Sequence, residues 1–147
     1  LYGLPSVCLR YFNVYGPRIA LEGAYSLVLG IFLEQKKKGE PLTIEGDGEQ
    51  TRDFAYVKDV VRANILAAES DKTGFSEVIN IGAGNNHSIN KIASLIGGKI
   101  INLPPRQGDM KHTLADITRA KELLGWEPTI HIEEGIAEIK KWLGLDK

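Results

Sequence analysis

Leu9-Arg10-Tyr11-Phe12-Asn13-Val14-Tyr15-Gly16-Pro17-Arg18 opens as a strand and breaks sharply into a loop. Apolar and aromatic side chains fill its first half, and Gly16-Pro17 turns the chain at the end. The strand, read as Val7 to Phe12, alternates only weakly, which predicts burial on both faces of a parallel sheet. Proteins of the βα type gather their ligands where such strands end. Asn13 stands at that break, and its amide both donates and accepts, which suits a sugar hydroxyl or a phosphate oxygen. A turn-forming asparagine explains it equally well.

Downstream, strands alternate with helices, which makes the class α/β. A helix is expected over Ala24 to Lys38, with an apolar stripe, a Lys36-Lys37-Lys38 end and Gly39 to close it. Pro41 to Ile44 is a short extended piece, Gly46-Asp47-Gly48 a turn, and Thr51 to Val57 an alternating strand. Asp59 to Glu69 reads as a helix, and Glu77 to Ile81 as a strand. Ser88 caps a helix over Ile89 to Ile96, and Lys99 to Leu103 is extended. Asp116 caps Ile117 to Leu124 with Gly125 beyond it, and the last helix runs from Ile132 to Leu143.

The composition sets limits. The 147 residues carry a formal charge of -1, so no basic field points to nucleic acid. No apolar run approaches the roughly 20 residues of a membrane helix. A single cysteine, Cys8, fits a reducing compartment such as the cytoplasm, and its place in the first strand predicts a buried, inert thiol. His87, His112 and His131 are scattered without metal-ligand spacing, so no metal site is expected. Trp126 and Trp142 are expected in the core. The chain begins at Leu1 and its one methionine is Met110, so it reads as part of a longer sequence.

Two arginines lie where extended segments meet loops: Arg52 in Thr51-Arg52-Asp53-Phe54, and Arg106 in Pro105-Arg106-Gln107-Gly108-Asp109. A guanidinium fork matches two phosphate oxygens at once, so a pair from separate segments can clamp a diphosphate. Local ion pairs are the simpler alternative: Arg52 with Asp53 or Asp47, and Arg106 with Asp109. Gly82-Ala83-Gly84 has the look of a phosphate-binding turn but lacks the third glycine and the downstream acid of a dinucleotide fingerprint. No Tyr-x-x-x-Lys pair occurs in the chain.

Five segments in this order resemble the C-terminal half of an extended short-chain dehydrogenase/reductase, closest to a nucleotide-sugar epimerase of the UDP-glucose 4-epimerase type. They are residues 9–18, Gly46-Asp47-Gly48-Glu49-Gln50-Thr51-Arg52-Asp53-Phe54, Val78-Ile79-Asn80-Ile81-Gly82, Pro105-Arg106-Gln107-Gly108-Asp109, and Asp116 with Ala120-Lys121-Glu122-Leu123-Leu124-Gly125-Trp126-Glu127-Pro128. The resemblance implies one partial domain over residues 1–147: a small α/β substrate-binding region with two strands of a Rossmann-type sheet, the NAD-binding half being absent.

It also implies roles. Phe12 matches the residue whose backbone lies beside the nicotinamide of NAD. Asn13, Arg52 and Arg106 match contacts to the diphosphate, and Asp109 matches the carboxylate on the ribose. Thr43 and Glu45 lie where the backbone meets the base, and Tyr25 and Ser26 fall near a helix lining the same pocket. Thr113 stands where some hexose epimerases carry a bulky aromatic residue, which leaves room for an N-acetylated hexose. The implied activity is NAD-dependent 4-epimerisation of a UDP-hexose, with a chain that is inactive alone because the base and the glycine-rich loop are missing. A 4,6-dehydratase, a UDP-glucuronate decarboxylase and a non-catalytic binding module are the alternatives. A homodimer or a self-associating fragment is expected, because strands without neighbours leave open edges.

Overall fold

The computed structural model describes residues 3–23 and 26–145. In chain order the elements are β1 (Ser6–Tyr11), α1 (Val28–Lys38), β2 (Leu42–Glu45), β3 (Thr51–Arg52), α2 (Val57–Glu69) and β4 (Phe75–Ile81). They continue with β5 (His87–Ser88), α3 (Ile89–Ile96), β6 (Ile100–Leu103), α4 (Thr118–Leu124) and α5 (Ile132–Leu143). The strands pair as three two-stranded sheets: β1 with β4 and β2 with β6, both parallel, and β3 with β5, antiparallel. Each parallel pair is joined through intervening helices, as parallel neighbours require.

Two apolar clusters hold the fold. One packs Leu29, Phe32 and Leu33 of α1, Leu42 and Ile44 of β2, and Ile92 and Ile96 of α3 against Ile136 and Ile139 of α5. The other sets Ile79 and Ile81 of β4 against Ala63 and Ala67 of α2, Leu124 of α4, and Trp126. The segment after β3 joins them by alternation: Phe54 and Tyr56 enter the first cluster while Ala55 enters the second.

Local signals end the helices. Gly39 follows the three lysines of α1 in a left-handed conformation, φ 72°, and its N–H donates to Lys36 C=O. Ser88 caps α3 by accepting from Lys91 N–H at 3.1 Å.

The structure corrects several expectations. β1 is not buried on both faces: Val7 and Leu9 lean on the second cluster, while Ser6, Cys8 and Arg10 are exposed, because no described element packs on their side. The Cys8 thiol is therefore exposed rather than buried. The strand expected over Thr51 to Val57 forms only at Thr51 and Arg52, with an isolated bridge from Tyr56 to Tyr15 beyond it. Beyond them the chain crosses to the end of β1, where Ala55 N–H donates to Phe12 C=O, and Val57 already begins α2. Helix α4 starts at Thr118; Asp116 still accepts from its amide at 2.9 Å, but Ile117 holds the cap position. Trp142 is 52% exposed, on the outer side of α5, while Trp126 is buried and donates its indole N–H to Asp59 C=O. Helix α1 begins at Val28; Ala24, the expected start, lies outside the described residues.

Candidate functional site

The two arginines face one hollow. A cleft of about 280 Å³ is lined by Asn13, Ser26, Thr43, Glu45, Gln50, Arg52, Arg106 and Asp109, with an apolar wall from Leu27, Val28, Ile31, Phe54, Ile89 and Leu103. A wider groove adjoins it through the shared residues Glu45, Gln50, Leu103, Arg106 and Asp109. Two walls of the cleft are ends of elements, the start of α1 and the end of β3, and a third is the outer edge of β2. The fourth is the loop after β6, which carries Arg106 and Asp109.

Local folding sets each side chain. Arg52 ends β3; its Nη1 donates to Thr51 C=O at 2.9 Å and its Nη2 to Asp109 Oδ1 at 2.6 Å. The ion-pair alternative therefore holds with a different partner. Arg52 binds neither Asp53 nor Asp47, and Asp109 pairs with Arg52 rather than with Arg106. Arg106 has no ion-pair partner among the described residues. Its loop is tied at both ends, by Gly46 N–H to Leu103 C=O and by Thr51 N–H to Lys111 C=O, which holds it beside the cleft.

Asn13 has φ 35° and donates from Nδ2 to Asp53 C=O at 2.6 Å. It serves the turn and lines the cleft at once, so the two explanations of this residue are compatible. The Ser26 hydroxyl is buried beside the cleft without a hydrogen-bond partner among the described residues. Tyr25 lies outside the described residues. Phe12 spends its backbone inside the fold, its N–H on Ile81 C=O and its C=O on Ala55 N–H. Thr113 lines neither hollow; its N–H donates to Thr51 C=O, and its hydroxyl faces Asp53 N–H at 3.4 Å.

β2 contributes its backbone. Leu42 N–H bonds Lys99 C=O and Gly46 N–H bonds Leu103 C=O, so Leu42, Ile44 and Gly46 turn toward β6. By alternation Thr43 and Glu45 present their N–H and C=O groups at the outer edge, toward the cleft. Gln35 of α1 takes the Thr43 N–H at 3.0 Å and donates to Thr43 Oγ1 at 2.7 Å, while Gln50 Nε2 donates to Glu45 C=O at 2.9 Å. The Thr43 C=O and the Glu45 N–H remain without partners among the described residues.

Asp53, which the sequence offered only as an ion-pair partner for Arg52, is a structural residue. Its carboxylate is fully buried and accepts from Ala83 N–H at 2.6 Å and from Gly84 and Ala115 N–H at 3.1 Å. Burial pushes its carboxyl above the usual carboxylate range, and the three amides pull against that. The glycine turn Gly82-Ala83-Gly84 thus does hold an anion, but the anion is the chain's own. Among the described residues Gly82-Ala83-Gly84 therefore leaves no open amides for the pyrophosphate of NAD, and Phe12 follows directly on the end of β1.

The chain is α/β, and two guanidinium groups, a buried hydroxyl and the edge of β2 border one hollow. It belongs to the NAD dependent epimerase/dehydratase family, whose model matches residues 1–82. A UDP-glucuronate 4-epimerase of Thermodesulfobacterium geofontis is 40% identical over 97% of this chain and 44% of its own length. A UDP-N-acetyl-alpha-D-glucosaminuronate decarboxylase of Bacillus cytotoxicus is 36% identical over 97% of this chain and 47% of its own. The crystal structure of UDP-glucose 4-epimerase with UDP-glucose from Thermotoga maritima superposes with a TM-score of 0.88 at 44% identity, again over 97% of this chain and 47% of the other. The chain spans about half the length of the curated relatives it matches.

Proposed function

We propose that this chain is the nucleotide-sugar-binding portion of an NAD-dependent UDP-hexose 4-epimerase, with UDP-glucose and UDP-galactose as its pair of substrates. The observation that carries the reading is the meeting of Arg52 and Arg106 on one cleft beside the free edge of β2. Arg52 and Arg106 grip the diphosphate, Asn13 and Ser26 supply further polar contacts, and Asp109 accepts from the ribose. The Thr43 C=O and the Glu45 N–H meet the edge of the base. Thr113 stands outside both hollows and is given no contact to the sugar.

Bound NAD supplies reversible removal of hydride at the sugar. Phe12 would stand beside its nicotinamide end. With no Tyr-x-x-x-Lys pair in these 147 residues, the chain alone binds without turnover. A cytoplasmic setting fits its free cysteine. The exposed β1–β4 pair, bearing Tyr11 and Phe75 on its surface, supports self-association of the chain, and a monomer by light scattering at high concentration would remove that point.

Isothermal titration with UDP-glucose tests the binding role, and absence of heat defeats it. Product analysis of the full-length protein tests the reaction. UDP-galactose from UDP-glucose supports the epimerase. A dehydrated keto-sugar, or carbon dioxide from UDP-glucuronate, supports the second reading, which the similarity to a decarboxylase favours.

A further inference from the structure

The outer edge of β2 offers four backbone groups to the cleft, in the order Thr43 N–H, Thr43 C=O, Glu45 N–H, Glu45 C=O. Two glutamines from different elements take the outer two. Gln35 Oε1 accepts the Thr43 N–H at 3.0 Å, and Gln50 Nε2 donates to the Glu45 C=O at 2.9 Å. What is left is one acceptor followed by one donor. We infer that Gln35 is a positioning residue for base selection: by masking the Thr43 N–H it leaves the edge with a single hydrogen-bonding order, which a uracil satisfies and a cytosine does not. This rests on the reading of the cleft as a nucleotide-sugar site.

The chemistry is that of neighbouring groups on one base edge. Uracil presents an N–H donor at N3 beside a carbonyl acceptor at O4. Cytosine, held by the same ribose and phosphates, presents an acceptor at N3 beside an amino donor at C4, the reverse order. Against Thr43 C=O and Glu45 N–H only one order pairs, and the other sets acceptor against acceptor and donor against donor. If the Thr43 N–H were free, the Thr43 carbonyl would have a donor on each side, and a small shift of the base would satisfy either order. Unpaired groups in a closed site are what give such selection its strength.

Gln35 is suited to this task. It lies outside the cleft lining, on the half-buried flank of α1, and its second bond, Nε2 to Thr43 Oγ1 at 2.7 Å, fixes the amide in one orientation. Both ends of the amide are thereby used on a single residue of the β2 edge.

The test is calorimetric titration of the full-length protein with UDP and with CDP. The native protein is expected to prefer UDP by about tenfold or more. Gln35→Leu, and Gln35→Asn, one methylene too short to span both groups, are expected to bring that preference below about threefold while retaining UDP binding. Gln35→Glu still accepts the Thr43 N–H and is expected to keep the native preference. If Gln35→Leu fails to fold, Gln35→Asn carries the test alone. An unmasking variant that folds and keeps the full preference overturns the inference and leaves the nucleotide site standing. Native protein that binds neither nucleotide overturns the nucleotide reading itself, and this inference with it.

Discussion

Arg52 Nη2 lies 2.6 Å from Asp109 Oδ1, a contact between the end of β3 and a loop 57 residues further on. The guanidinium is mostly covered, with 17% of its side chain exposed, while the carboxylate is 37% exposed. The pair therefore adds little to stability on its own. What it fixes is direction: Arg52 is held at the cleft, and the loop bearing Arg106 is tied to the end of β3.

Arg106→Ala is expected to weaken UDP binding by about tenfold, the loss of one charge-assisted contact. It should leave the melting temperature in place, since Arg106 is exposed and outside the ion pairs. Arg52→Ala should weaken binding by about a hundredfold, because Asp109 is then left facing the phosphates with its charge unbalanced. Titration calorimetry at two salt concentrations measures both, and equal losses would exclude a balancing of the Asp109 charge by Arg52.

Asp53→Ala removes the acceptor of three amides at a fully buried position. Its cost is expected at about 3 kcal/mol in urea unfolding. Asp53→Asn keeps one acceptor oxygen and should lose about half as much. A surface-like effect under about 0.5 kcal/mol for the alanine variant would show that the glycine turn does not depend on this carboxylate.

Asp59 behaves oppositely to Asp53. Burial disfavours its charge, but the Thr129 hydroxyl, the Arg62 guanidinium and the amides of Ile130 and Thr129 outweigh that and hold its carboxyl below the usual range. A depressed carboxyl stabilises the fold above its unfolded value of about 3.9, and that contribution disappears as pH falls through the folded value. The difference in urea midpoint between the native protein and Asp59→Asn should be constant from about pH 7 to 5 and shrink below about pH 4. A difference unchanged down to pH 3 would exclude the bonding seen at Asp59.

Cys8 should react with a thiol reagent in the folded chain at a rate close to that in urea, because its side chain is exposed on β1. Protection of more than about a hundredfold would mean that something covers this face of the sheet in solution.

The sequence by itself determined helices α1 to α5 and the residue at which each ends, while the starts of α1, α2 and α4 differ from the expected ones. Lys36-Lys37-Lys38 with Gly39, Ser88 before Ile89, and the charges flanking Ile132 to Leu143 are local signals, satisfied within a turn or two. It also placed two arginines at the ends of extended segments. Only the tertiary structure decided what those arginines meet, because the partner of Arg52 lies 57 residues away and no local pattern separates Asp109 from Asp53 or Asp47. The same holds for the face of β1 left open, for the carboxylate that fills the glycine turn, and for the two glutamines on the β2 edge. Each depends on which distant segments folding sets side by side, and sequence spacing carries no record of that.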